Sequence, residues 1–125
     1  MSTTQEPLTT QQFQIETFAR AVEERDAATQ LAMYAPDAEV TLIDRNSPPS
    51  APRVLRGVEQ IRAWVEDVCG RDMTHRVRHT VCDGTGAAFT EACRYPDGTA
   101  VACATVLELT DGLVRRQTAL QAWDE

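Results

Sequence analysis

Apolar and polar positions repeat with two different periods along this chain. In the first part, apolar residues recur at intervals of three and four, which is the period of one helical face. This spacing predicts three helices, over Gln11 to Glu24, Ala27 to Tyr34 and Val58 to Cys69. Asp26 is a suitable N-terminal cap for the second helix, and Pro36 should end it because proline cannot continue a helix. A strand from Ala38 to Asp44 is predicted next.

In the second part the period changes to two, which is typical of strands with one buried face. Four strands are predicted, over Arg76 to Cys82, Ala87 to Tyr95, Ala100 to Leu109 and Leu113 to Trp123. The segments between them read DGTG, PDG and TDG, and such segments favour tight hairpin turns. The pattern therefore predicts an antiparallel meander of four strands.

The turn sequences also predict which residues face each other in the meander. A type I turn with Gly98 in a left-handed bulge pairs Tyr95 with Thr99, and hence Glu91 with Cys103. The same logic at the TDG turn pairs Leu107 with Arg115. One face of the sheet should then carry Phe89, Glu91, Cys93, Tyr95, Val101, Cys103, Thr105, Leu107, Arg115, Gln117, Ala119, Gln121 and Trp123.

Length and loop composition set the domain organisation. A chain of 125 residues is the usual size of one domain. Residues 1–10 are polar and without periodicity, so we expect a disordered tail there and one domain over residues 11–125. The segment RNSPPSAPR between the first strand and the third helix contains three prolines, which predicts a loop that borders a pocket.

Charge and residue usage exclude several classes of function. The net charge is −7 and the cations are scattered, which argues against a nucleic-acid partner. All 12 cations are arginines, so a lysine Schiff base or a P-loop clamp is excluded. Serine occurs only in the tail and the proline-rich loop, which leaves no serine nucleophile. The start shows no signal peptide and no apolar run could span a membrane, so we expect a cytoplasmic protein.

The cysteines and histidines give little indication of a metal. Cys69, Cys82, Cys93 and Cys103 show no CxxC pair, so we expect buried small side chains in a reducing compartment. His75 and His79 share one face of a predicted strand and suit a proton shuttle or two metal ligands. No third ligand stands at a fitting spacing. We therefore expect no metal site.

Three segments carry a family resemblance: FARAVEERDAATQLAMYAPDAEV, LRGVEQIRAWVEDV and TDGLVRRQ. They are similar to the corresponding elements of the nuclear transport factor 2-like superfamily, in particular SnoaL-like polyketide cyclases and ketosteroid isomerases. The resemblance implies an α+β fold, a cone-shaped roll in which three N-terminal helices pack on a curved, mostly antiparallel sheet. It also implies a pocket for an apolar ligand, acidic or hydroxyl groups that move protons, and no cofactor.

The catalytic sets of the family do not transfer whole to this chain. The isomerase tyrosine falls on Phe18, its base aspartate on Leu42 and its proton-donating aspartate on or near Thr105, which argues against steroid isomerisation. Asp44, Arg94 and Glu91 supply pieces of the proton relay of limonene epoxide hydrolase relatives. The histidine of the polyketide cyclases is matched only by His75 or His79.

Glu91 is the most informative candidate, because the predicted register places a carboxylate among apolar side chains. Desolvation raises the proton affinity of a carboxylate, which suits a general acid or base. An ion pair with Arg115 and a register slip that turns Glu91 to solvent are the alternatives. Asp44, at the end of the first strand and at the pocket mouth, is the second catalytic candidate, with a turn-stabilising role as the alternative.

The remaining site residues are predicted to bind the ligand. Gln117 and Gln121 point inward and could orient a carbonyl group, or bond only to each other. The full set of predicted ligand contacts is Tyr34, Trp64, Phe89, Thr105, Arg115, Gln117 and Gln121. The expected partner is a small apolar molecule, bound either for acid–base catalysis or by a non-catalytic domain of the same fold.

The sheet face opposite the pocket predicts a second copy of the chain as a partner. Small residues occupy that face: Thr90, Ala92, Ala102, Ala104 and Val106. A monomer would leave this flat apolar surface in water, so we expect a homodimer.

Overall fold

A computed structural model describes residues 12–124, so the prediction of a disordered tail over residues 1–10 lies outside the described residues. The helices are α1 (Ile15–Glu23), α2 (Ala27–Leu31) and α3 (Val58–Gly70). The strands are β1 (Tyr34–Ile43), β2 (Arg53–Arg56), β3 (Thr74–Cys82), β4 (Gly86–Arg94), β5 (Ala100–Thr110) and β6 (Leu113–Trp123). This order confirms the predicted α+β fold.

The six strands form one open sheet in the order β2-β1-β6-β5-β4-β3. Neighbouring strands are antiparallel except β1 and β6, which run parallel next to the edge strand β2. Helix α1 contacts β3, α3 contacts β1 and β2, and α2 contacts both of the other helices. The helices therefore cover one face of the sheet, and the side chains of that face meet them.

The second helix is shorter than predicted. Asp26 caps it as expected, its carboxylate accepting a hydrogen bond from the Thr29 backbone N–H at 3.1 Å. The helix ends at Leu31, and Tyr34 already belongs to β1. Pro36, predicted to end a helix, lies inside this strand, where the register against β6 shifts between Tyr34 and Glu39. A proline lacks the N–H that a regular ladder needs, so it is accommodated at this irregularity.

A short strand begins at the last residue of the predicted proline-rich loop. Residues Arg53–Arg56 form β2 and pair antiparallel with β1, with Val40 opposite Leu55. Leu55 is buried against the core. Sequence reasoning missed this strand because four residues show too little alternation to reveal a period.

The meander confirms one predicted register and corrects the other. At the PDG turn, Gly98 has φ +94° and the Tyr95 backbone N–H donates to the Thr99 carbonyl at 2.9 Å. Glu91 lies opposite Cys103, as predicted. At the TDG turn, Asp111 and Gly112 both have positive φ, which is the geometry of a two-residue hairpin turn.

This tighter turn changes the pairing of β5 with β6. A bulge follows between Glu108 and Leu109, and Leu107 faces Gln117 instead of Arg115. The extra residue in the bulge is Arg115, which therefore leaves the pocket face of the sheet.

Phe18 anchors the core where α1 meets the sheet. Only 1% of this residue is exposed, and its ring lies 5.6 Å from that of Phe13 and 6.1 Å from those of Tyr34 and Phe89 between centroids. Aromatic rings at these distances add attraction to their burial. They join the first helix to both β1 and β4.

Phe18→Ala should lower the free energy of unfolding by about 3–5 kcal/mol, because it leaves a large cavity inside this aromatic cluster. Urea denaturation followed by circular dichroism measures the change. Val81→Thr is the matched control, since Val81 is 63% exposed near the end of β3, and it should change stability by no more than about 0.5 kcal/mol. A loss below about 1 kcal/mol for Phe18→Ala would contradict the described packing.

Candidate functional site

A pocket lies between the three helices and the face of the sheet that they cover. Its cavity measures about 90 Å³, and the walls are mainly apolar and aromatic side chains. The side chains with polar groups that reach it include Gln30, Tyr34, Arg71, His75, Glu91, Tyr95, Thr105, Gln117 and Gln121. An apolar cavity with a few converging polar groups is the usual form of a small-molecule site.

Glu91 enters this pocket from β4 and meets a partner that the sequence did not predict. Its Oε1 lies 3.2 Å from Nδ1 of His75 on the adjacent strand β3. Cys93 Sγ lies 3.3 Å from the same imidazole nitrogen and 3.4 Å from the same carboxylate oxygen. The His75 and Glu91 side chains are only 5% and 14% exposed, so this pair is largely shielded from water.

The imidazole of His75 is held in its charged form near neutral pH. Hydrogen bonds with Cys93 and Glu91 raise the pKa of His75 to about 9, although burial acts in the opposite direction. The neighbouring thiol remains protonated, because a hydrogen bond with Cys103 and burial raise the pKa of Cys93 far above its usual range. The pocket thus contains an imidazolium next to a carboxylate.

This arrangement makes stability depend on pH. The pKa of His75 rises from 6.5 to about 9 on folding, so its stabilising contribution is complete below pH 6.5 and is lost as the pH rises through 9. We expect the unfolding free energy of the wild type to fall across this window, measured by urea titration. His75→Gln should flatten that part of the profile, and an unchanged slope would contradict the ion pair.

Tyr34 and Gln117 form a second polar pair on the floor of the pocket. The Tyr34 hydroxyl donates a hydrogen bond to Oε1 of Gln117, which joins β1 to β6. Burial, with the negative charge of Glu91 adding to it, raises the pKa of Tyr34 far above its usual range. Tyr34 is therefore a protonated hydrogen-bond donor. Gln121 bonds to Trp123 rather than to Gln117, its Oε1 accepting from the indole N–H at 3.0 Å.

The mouth of the pocket is bordered by the loop that follows β1. Asp44, Arg45, Asn46 and Ser47 face Trp64, Tyr95 and Trp123 across an outer pocket. The Arg45 guanidinium carbon lies 4.0 Å from the centre of the Trp123 ring, which stacks on Tyr95 at 5.8 Å. Asp44 Oδ1 accepts a hydrogen bond from the Asn46 backbone N–H at 2.9 Å, so its carboxylate also stabilises the turn.

Comparison with known proteins places the chain in a family. The family model described as a SnoaL-like domain matches residues 15–117. This chain belongs to the SnoaL-like domain family. Comparison with curated proteins gives no significant sequence match.

Solved structures share the fold of this SnoaL-like domain at low sequence identity. A candidate ketosteroid isomerase from Kribbella flavida is 22% identical, with a TM-score of 0.72 over 89% of this chain and 75% of that one. A nuclear transport factor 2-like protein of unknown function from Mesorhizobium loti is 13% identical, with a TM-score of 0.75 over 86% and 87%. An epoxide hydrolase/cyclase-like enzyme of pyran-ring formation in salinomycin is 19% identical, with a TM-score of 0.67 over 86% and 87%.

The SnoaL-like domain brings most of the predicted site residues together. Seven of the predicted residues line the inner pocket: Tyr34, Trp64, Phe89, Glu91, Thr105, Gln117 and Gln121. Asp44 lies at the mouth, as predicted, and apart from Glu91. The prediction that Arg115 faces the pocket is wrong, because Arg115 is exposed and its guanidinium lies 3.3 Å from Oδ2 of Asp37.

The two histidines do not share a face. His79 has φ +54° in a bulge of β3 and is exposed, with Nδ1 2.8 Å from the Thr90 hydroxyl. The bulge turns His79 away from the pocket while His75 points into it. Sequence reasoning missed the pairing of His75 with Glu91, because it did not predict this bulge, which sets the register of His75 against β4.

Proposed function

We propose that this SnoaL-like domain is an acid–base enzyme that transfers a proton on a small apolar molecule, in an isomerisation, cyclisation or epoxide opening. The observation that supports this most is the carboxylate of Glu91, paired with His75 inside an apolar pocket. Two proteins of the same fold are described as a candidate ketosteroid isomerase and an epoxide hydrolase/cyclase-like enzyme. Those descriptions favour proton chemistry on an apolar substrate here as well.

The proposed roles follow from what each group can do with a proton. Glu91, as a carboxylate, removes a proton from a carbon or from an attacking water. The imidazolium of His75 returns a proton from Nδ1 to the substrate. The Tyr34 hydroxyl stabilises developing negative charge on a substrate oxygen when it turns from Gln117, in the manner of an oxyanion hole.

The size of the pocket limits the substrate. An apolar cavity of about 150 Å³ holds benzene, so the inner cavity of about 90 Å³ accommodates no more than one small ring. Larger parts of a substrate would lie in the outer pocket beside Trp64 and Trp123. We therefore propose a monocyclic reacting group, with any further substituents directed towards the mouth.

Two one-ring probes test the proposal: cyclohex-3-enone for proton transfer and cyclohexene oxide for epoxide opening. Each is incubated with the chelator-treated protein in D₂O, and nuclear magnetic resonance follows deuterium incorporation or diol formation. Turnover of either probe above the buffer rate supports the enzyme. Saturable binding of both probes without turnover would instead support a non-catalytic binding domain, in which the two polar pairs only orient a ligand.

We further propose a homodimer through the outer face of the sheet. Ala92, Ala102, Ala104 and Val106 are exposed there, next to Leu120 at 48% exposure. Light scattering should give about twice the chain mass of 13.8 kDa. Ala104→Arg should yield the monomer mass, because it places a charge in the centre of the interface. A wild-type monomer at micromolar concentration would contradict this proposal.

The proposal also covers the cellular compartment, which is the cytoplasm, and the kinds of partner that the protein binds. No helix within residues 12–124 is long and apolar enough to cross a membrane. All four cysteines are free thiols, which fits the reducing conditions of the cytoplasm. The net charge of −7 supports our proposal that the partners are a small molecule and a second copy of the chain, and not nucleic acid.

A further inference from the structure

Three side chains with metal-binding atoms converge in the pocket, on two neighbouring strands. His75 comes from β3, and Glu91 and Cys93 come from β4, where they point to the same face because they are two residues apart. Their ligand atoms all lie within 4.8 Å of one another. Imidazole nitrogen, thiolate sulfur and carboxylate oxygen are the three ligand types that zinc takes in proteins.

The distances between these atoms match a tetrahedral site. Zinc–ligand bonds of about 2.0–2.3 Å at tetrahedral angles put nitrogen and oxygen about 3.3 Å apart, and sulfur about 3.5 Å from either. The observed separations are 3.2 Å for nitrogen to oxygen, 3.3 Å for nitrogen to sulfur and 3.4 Å for sulfur to oxygen. Shifts of about 0.3 Å or less therefore convert the hydrogen-bonded cluster into a ligand set.

We propose that His75, Glu91 and Cys93 form a binding site for a zinc-type divalent metal ion, with a fourth position open to the pocket. On binding, three metal–ligand bonds form, and the thiol proton of Cys93 and any proton on Nδ1 of His75 pass to solvent. Three protein ligands with one free position are the composition of a catalytic rather than a structural zinc site.

Two features of the surroundings suit such a site: access for an ion through the cavity, and a second thiol beside the three ligands. All three residues line the cavity, so an ion reaches them from the mouth. Cys103 lines the same cavity and faces Glu91 across the strand pair, where its thiol stands next to the cluster. The site rests on this geometry alone and does not depend on whether the metal-free pocket is an enzyme.

Titration of the chelator-treated protein with Co²⁺ tests the proposal, since Co²⁺ takes zinc sites and reports on its ligands. We expect one-to-one binding, a thiolate-to-cobalt charge-transfer band in the near ultraviolet, and intense visible bands typical of tetrahedral coordination. Zn²⁺ should displace the cobalt and remove both signals. Weak octahedral bands, or no saturation, would overturn the proposal.

Variants assign the ligands. Cys93→Ser should abolish the charge-transfer band, whereas Cys82→Ser, at an exposed thiol outside the pocket, should retain it. Loss of the band in Cys103→Ser with retention in Cys93→Ser would overturn the ligand assignment. If Cys93→Ser fails to fold, Glu91→Gln serves instead and should weaken Co²⁺ binding by more than about tenfold. Metal binding without turnover of the ring probes would contradict only the proposed enzyme.

Discussion

Replacing Glu91 with Gln should lower turnover of the ring probe by about 100- to 10,000-fold, the range that general acid–base groups contribute. The amide keeps the shape of the carboxylate but cannot accept a proton. Ligand affinity should therefore stay within about tenfold of the wild type, or about 1.4 kcal/mol. Steady-state kinetics and a binding isotherm with the same probe, both in chelator, measure the two quantities.

A matched control separates this effect from a general change in charge. Glu108→Gln removes one negative charge from the exposed face of β5, outside the cavity lining, and should leave turnover and ligand affinity unchanged. His75→Gln should lower turnover as well, because it removes the proton donor opposite Glu91. An active Glu91→Gln enzyme would leave the carboxylate as a structural partner of His75 and refute the catalytic role.

The position of Glu91 could be predicted because it depends on one local turn. The PDG sequence determines a bulge with Gly98 in the left-handed region, and the register then follows by counting along β4 and β5. Alternation assigns the faces, so Phe89, Glu91 and Thr105 reach the pocket as predicted. Local chemistry and sheet geometry were sufficient for this part of the site.

His75 and Arg115 could not be placed in the same way, because each depends on a bulge inside a strand. In β3, His79 and the next residue together oppose one residue of β4, which shifts His75 to face Cys93. In β6, the bulge turns Arg115 towards Asp37. A bulge adds one residue to one of the two paired strands, so the residues beyond it point to the opposite face from the one that simple alternation predicts. Neither of these two bulges contains a glycine that would mark it in the sequence.

Tyr34 shows how tertiary contacts overrode a local pattern. The segment from Ala27 favours a helix that continues to Tyr34, but the chain turns after Leu31 and Tyr34 pairs with β6. Its ring then packs on Phe18 and its hydroxyl bonds to Gln117, 83 positions away. A contact of that separation has no signal in a local window of sequence.

Filling the cavity should abolish ligand binding without removing any polar group. Ala119 is 5% exposed, lines the inner pocket from β6 and pairs with Thr105 and Leu42. Ala119→Phe adds a ring about as large as the cavity can hold, so affinity for the one-ring probe should fall more than about 100-fold, or about 2.7 kcal/mol. Isothermal titration calorimetry with wild type and variant measures the loss.

The control is the same substitution outside the pocket. Ala63 lies on the exposed face of α3, and Ala63→Phe should bind the probe as the wild type does. Overpacking costs about 1–3 kcal/mol, so circular dichroism must first show that Ala119→Phe is folded, and Ala119→Leu is the smaller substitute if it is not. If a folded Ala119→Phe protein keeps its affinity, the ligand binds elsewhere, because two rings cannot share a cavity of about 90 Å³.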